Sequence, residues 1–345
     1  YSSVHCTMRY ILTFLLPLAC AINGEIPVAT TRYNATNIGV TDILVVTSER
    51  PCPNADDIAP CVCSYNKDTK LMDMDCSLVT SEAELATVFA ADFPFTNFNK
   101  LIIKENKNIT VLKHGVFGVT SFKRIEVTRS AVEVVEEGAL NGSMDTAEYI
   151  SFRFGIVESF PFSTLDKYTS LNNLLFQDGP IEKGFTYCPE IKNSHVYDIH
   201  FGSNPLGNIP IGSFSNAPAL KKIGLATCDI SNIQPGTFKN LINLEWLNLP
   251  ANHLTELKTG SLISGGLNLR EIYLQDNKIE YIEPNAINGT SGLKVHLERN
   301  QLKLIEETTW KQIFDAEGEL ILTDNPLECG CDIAWLYREP SYLLK

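Results

Sequence analysis

The sequence predicts an α/β solenoid in which each turn of about 24 residues contributes one short strand to a long parallel sheet, with a mostly irregular or 3-10 return side. Three observations predict it. One apolar pattern recurs at nearly even spacing from Phe98 onward. Each copy is too short and too one-sided to bury its own apolar face. Cysteine clusters flank the repeating region at the two places where a solenoid needs its raw ends covered.

The register is an apolar residue at position 1, again at 4 and 6, Asn or a small residue at 9, and apolar residues at 11 and 14. The clearest copies are Leu220-x-x-Ile223-x-Leu225-x-x-Cys228-x-Ile230, Leu244-x-x-Leu247-x-Leu249-x-x-Asn252-x-Leu254 and Leu269-x-x-Ile272-x-Leu274-x-x-Asn277-x-Ile279. This is the leucine-rich-repeat signature, and it predicts a horseshoe with a concave parallel sheet.

Taken in chain order, the first element is residues 1–21. Met8 and Arg9 precede the apolar stretch Ile11 to Ala19, with Ala19 and Ala21 fitting the small-residue cleavage rule. We read a secretory signal peptide starting at Met8 and ending near Ala21; the apolar run is shorter than the roughly 20 residues that span a bilayer. Residues 22–51 are Thr/Asn-rich and show no sustained period of 2 or 3.6, which predicts a flexible leader. Residues 52–97 hold Cys52, Cys61, Cys63 and Cys76 and are expected to cap the first turn.

Ten turns follow over 98–324, starting at 98, 122, 147, 171, 196, 220, 244, 269, 292 and 317. A further apolar column some eighteen residues into each turn reads Phe117, Leu140, Leu165, Phe214, Phe238, Leu262, Ile287 and Trp310. At a strand spacing of about 4.8 Å the ten turns make an arc on the order of 45 Å. Asn at position 9 (Asn106, Asn204, Asn252, Asn277, Asn300 and Asn325) can satisfy backbone groups where the chain leaves the strand. Ser130, Gly155 and Gly179 lack that amide, so turns 2–4 are expected to be looser than turns 5–10. Cys228 sits in the same column as a buried, structural thiol, while Cys188 on the return side is either free or bonded to another chain. Residues 325–345, with Cys329 and Cys331, read as the start of a second cap.

Composition narrows the function. With 28 basic and 41 acidic residues the net charge is -13, which repels nucleic acid and anionic lipid. Ten cysteines, six of them in the two end clusters, point to disulfides outside the cytosol. The Cys-x-Cys pairs could also be half of a zinc site, but neither has a second Cys or His pair at ligand spacing. Asn34, Asn108, Asn141 and Asn288 open Asn-x-Ser/Thr sequons and are candidate glycosylation sites once the chain is secreted. No P-loop, G-x-S-x-G, H-E-x-x-H or G-x-G-x-x-G is present. His296-Leu-Glu298 has a zinc-deaminase spacing without the P-C-x-x-C half. We expect no enzyme, no metal and no cofactor.

The strings Asp57-Ile-Ala-Pro-Cys61-Val-Cys63, Met72-Asp-Met-Asp-Cys76, Ala91-Asp-Phe-Pro94, Val135-Glu-Glu-Gly-Ala-Leu140 and Cys329-Gly-Cys-Asp-Ile-Ala-Trp-Leu336 carry a resemblance. The chain resembles extracellular leucine-rich-repeat proteins with cysteine-rich flanks, and within them the arthropod family named for the non-catalytic subunit of Oplophorus luciferin 2-monooxygenase. The resemblance covers residues 52–336. It implies Cys52–Cys63 and Cys61–Cys76 pairing, a second cap whose remaining cysteines lie beyond Lys345, and a secreted subunit that binds a partner while catalysis belongs to a different polypeptide.

Strand alternation sends positions 2, 3, 5, 7 and 8 to the concave sheet or its edge. There the candidate protein-binding residues are Trp246 and Tyr273 first, then Tyr149 and Tyr197, with His200 and Arg270 beside them. The bland alternative is that these side chains only shield one another. The expected partner is another secreted or cell-surface protein, with neither nucleic acid nor a small-molecule cofactor. The leading expectation is a secreted scaffold; the alternative is the ectodomain of a receptor or adhesion glycoprotein anchored beyond residue 345.

Overall fold

In the computed structural model the described residues are 52–338, apart from 181, 289, 329, 331 and 332. The chain divides into two compact units, Tyr1–Glu49 and Arg50–Lys345. The first, which contains the signal-peptide reading, Asn34 and most of the leader, lies outside the described residues, as do Cys329 and Cys331.

Within the second unit a 12-stranded sheet runs the length of the repeats. Its first two strands, Val62–Asn66 and Leu71–Asp75, form an antiparallel hairpin, and Leu71–Asp75 then pairs in parallel with Asn97–Lys104 of turn 1. The remaining strands follow in chain order and are all parallel: Ser121–Thr128, Tyr149–Arg153, Asn173–Gln177, Asp198–His200, Lys222–Gly224, Trp246–Asn248, Glu271–Tyr273, Lys294–His296 and Glu319–Ile321. The position-4 residues stand in register: Leu101, Ile125, Ile150, Leu174, Ile199, Ile223, Leu247, Ile272, Val295 and Leu320. A period of two thus puts positions 4 and 6 into one continuous core and positions 3 and 5 on the open face. Leu225, Leu249 and Leu274 are fully buried, as is every residue of the apolar column from Phe117 to Trp310. The return side carries two short parallel strand pairs, 3-10 turns at Asn141–Ser143 and Phe162–Lys167, and the helix Glu307–Asp315 of the last turn.

Position 8 reveals the constraint that makes the turns repeat. Glu105, Arg129, Phe154, Asp178, Ser203, Thr227, Ala251, Asp276, Arg299 and Asp324 all have positive φ, between 51° and 66°. None is glycine, so each pays on the order of 1 kcal/mol for the left-handed conformation. That conformation aims the amide of position 8 at the position-7 carbonyl of the next turn, in a ladder from Glu105 N–H to Thr128 O through Arg299 N–H to Thr323 O. It also brings the position-9 side chain inward. Asn252 Nδ2 donates to Leu225 O at 2.8 Å and Leu249 O at 2.9 Å, and its Oδ1 accepts from the amides of Cys228 and Ile230. Asn277, Asn300 and Asn325 donate to the equivalent carbonyls. Cys228 imitates them, its Sγ donating to Phe201 O at 3.2 Å.

Turns 2–4, expected to be looser, also differ from turns 5–10 in strand length. Their strands are longer, at eight, five and five residues, against three in each of turns 5–10. In turns 3 and 4 two features stand where the asparagine is missing. Glycine at position 9 lets adjacent backbones close together, since a Cβ on Gly179 would lie 2.3 Å from Gly155 O. The interior is then filled by rings: Phe152, Phe176 and Phe201 stack in parallel at 5.3 and 6.0 Å, with Phe160, Phe162 and Phe185 packed edge-on. A cavity of about 20 Å³ remains beside Gly155 and Gly179, the size of one water.

At the N-terminal end, disulfides Cys52–Cys63 and Cys61–Cys76 staple the hairpin. Cys76 is fully buried, and the neighbouring helix Glu82–Phe89 lays Leu85, Val88 and Phe89 over the end of the core. Cys188 and Cys228 are free and buried, and burial pushes both thiols up to about 12, so neither is presented to another chain.

Candidate functional site

The open face of the sheet is written in the residues that the repeat leaves free. Across turns 5–9 these assemble a row of rings. His200 lies 5.6 Å from Trp246, Trp246 lies 5.6 Å from Tyr273, and Tyr273 stacks on His296 at 4.4 Å and 11°. The row crosses five strands because one position is empty of side chain. Gly224 holds position 5 of turn 6, and a Cβ there would sit 2.2 Å from His200 Nδ1. The glycine is the slot into which the His200 imidazole leans toward Trp246.

Each polar ring has an acidic companion two residues away along the chain, the spacing that returns a side chain to the same face of extended backbone. Tyr273 Oη donates to Glu271 Oε2 at 2.7 Å, and that bond raises the phenol above its ordinary range. His296 Nδ1 lies 3.3 Å from Glu298 Oε1. His200 Nε2 lies 2.9 Å from Asp198 Oδ1, without the alignment of a hydrogen bond.

The sequence-predicted residues divide into three groups. His200, Trp246 and Tyr273 are brought together in the row. Tyr149 is half-buried two turns away, under the Arg124 guanidinium at 3.9 Å. Tyr197 and Arg270 are exposed at position 2; Arg270 borders a cleft of about 410 Å³ together with Leu267, Thr290 and Lys294. Sequence reasoning missed His296 and Gly224 as parts of the site. The position-5 column of Ser151, Leu175, His200, Gly224, Asn248, Tyr273 and His296 holds both, and only the inter-ring distances show which members touch. The three sequons within the described residues fall elsewhere: Asn108 at position 11, Asn141 and Asn288 both at position 20 on the return side. Among the described residues no cluster of His, Cys, Asp and Glu could hold a metal ion, and no helix is long and apolar enough to cross a membrane.

Comparison with known proteins agrees with this architecture. The leucine rich repeat family model matches residues 194–254. By fold alone, the chain is similar to the structure of an octameric complex of Latrophilin 3, Unc5D and FLRT2 (LRR), with TM-score 0.62, 18% identity, and 75% of this chain and 76% of that one covered. It is also similar to the TLR13-ssRNA13 complex, with TM-score 0.52, 20% identity, and 66% and 32% covered. In sequence it is 26% identical over 160 residues to Podocan-like protein 1 of Mus musculus, spanning 45% of this chain and 27% of that protein. It is 33% identical over 297 residues to the Oplophorus-luciferin 2-monooxygenase non-catalytic subunit of Oplophorus gracilirostris, spanning 85% of this chain and 81% of that one. With its repeats, its N-terminal disulfides and that relative, the chain belongs to the leucine-rich-repeat family of the Oplophorus-luciferin 2-monooxygenase non-catalytic subunit.

Proposed function

We propose that this chain is a secreted, non-catalytic glycoprotein subunit that binds a protein partner through the open face of its sheet, centred on Trp246 and Tyr273. The observation that carries the reading is the contiguous row His200–Trp246–Tyr273–His296, held on rigid strands. Rings and arginines dominate interface energetics when a partner buries them, and strands present them already ordered. The relative's name, a non-catalytic subunit, supports a role in holding another polypeptide. The two disulfides support an oxidising compartment, and sequons at positions 11 and 20 would leave the sheet face clear of glycans. The test is affinity capture of the co-secreted polypeptide by wild type and by Trp246→Ala. The variant should weaken capture by more than about 1 kcal/mol, roughly fivefold in affinity. Equal affinity moves the site off this face.

A further inference from the structure

Among the described residues four buried side-chain polar atoms lack a hydrogen-bond partner: Asp198 Oδ1, Gln275 Oε1, Glu298 Oε2 and Asn288 Oδ1. Three of the four lie on the open face, around the aromatic row, and all three are acceptors. Gln275 and Glu298 both hold position 7, on neighbouring turns, beside the stacked rings of Tyr273 and His296. Glu298 Oε2 remains an acceptor whichever way the Gln275 amide is turned. A buried acceptor left without a donor is destabilising, and that penalty is recovered when a ligand brings the donor. What is missing here is therefore a donor with positive charge, flanked by π-faces.

We propose that this part of the row takes an arginine side chain of the protein partner, its guanidinium lying against Trp246 and Tyr273 and its N–H edge turned to Glu298. The inference rests on the open face being the docking surface. A guanidinium is planar, stacks on aromatic rings and donates in its own plane, which suits a carboxylate beside a ring better than an ammonium does. Glu271 adds a second carboxylate at Tyr273. Two of the cations nearby are already engaged: Arg299 pairs with Asp276 and Lys294 with Glu319 at 3.1 Å. The Glu298 side chain is 17% exposed, and its terminal torsion is soft, so a donor arriving over the rings reaches the carboxylate by a small rotation.

The probe is a fluorescent tetra-arginine peptide, titrated by anisotropy at physiological salt against tetra-lysine. Arginine should bind several-fold more tightly, and Glu298→Gln and Trp246→Ala should each weaken it by about tenfold. Asp166→Asn with Glu182→Gln, exposed positions away from the sheet face, should change it by less than about twofold, which separates a site from the pull of the net charge. Unfolding curves of the variants matching wild type establish that the isosteric Glu298→Gln is folded. Unchanged binding in Glu298→Gln, or an equal loss in the control pair, overturns the proposal. If Trp246→Ala loses the natural partner while peptide binding persists, the arginine assignment is wrong and the docking face stands.

Discussion

Asn252→Ala should be among the most damaging single substitutions in the chain, although it removes no apolar contact of consequence. Asn252 is 2% exposed and makes five hydrogen bonds to backbone groups of two turns: three donated, to Leu225 O, Leu249 O and Pro250 O, and two accepted from the amides of Cys228 and Ile230. Alanine leaves two amides and three carbonyls without this partner in the stack. The two orphaned N–H groups alone cost about 1–3 kcal/mol each, and carbonyls, with a second lone pair, add less; a loss of about 3–5 kcal/mol follows. Cys228→Ala in the same column should cost only about 1 kcal/mol, because a thiol is a weak donor and a weak acceptor. Urea unfolding followed by circular dichroism measures both. Amide exchange should show Cys228 and Ile230 losing protection first in the Asn252 variant. A loss below about 1 kcal/mol in Asn252→Ala, or equal losses in the two variants, would refute the view that the amide column ties turn to turn.

Three further outcomes follow from other features. Ala251 is exposed with φ at 54°, so Ala251→Gly relieves about 1 kcal/mol of backbone strain against roughly half that in unfolded-chain entropy; a small rise in midpoint is expected, and Ala251→Val should lower it. Glu82 accepts from the Thr110 amide and hydroxyl and from the Val111 amide, which hold its carboxyl near 2 against an ordinary 4.5. Because the folded value is the lower one, the ionised form stabilises the fold above about pH 4.5, and that contribution is lost as pH falls toward 2. Glu82→Gln should thus be less stable than wild type at pH 7, with the gap in unfolding midpoint closing toward pH 2. Cys188 and Cys228 should resist a thiol reagent at pH 8 until urea opens the stack, since burial keeps both protonated with values of about 12; rapid labelling of the native protein would contradict their placement.

The ten-turn solenoid was legible before any coordinates because its determinants are local and repeated. Position 4 is apolar in every copy, one turn cannot bury it, and stacking is the one arrangement that covers all ten. The same register told which residues face out, so His200, Trp246 and Tyr273 could be named from spacing alone. Which of them touch depended on side-chain reach across strands. Gly224 reads in one dimension as an unremarkable small residue, yet it is the gap through which His200 approaches Trp246. His296, set aside as half of an absent metal motif, closes the row because its ring lies flat on Tyr273. The missing asparagine of turns 3 and 4 was visible in the sequence, but the glycine contacts and phenylalanine stacks found there were visible only in the packing. Periodicity follows from backbone geometry and one-sided burial, which each turn carries within itself. The binding row, the unpaired acceptors and the filled gaps depend on distances between turns some 24 residues apart, and those exist only once the chain has stacked.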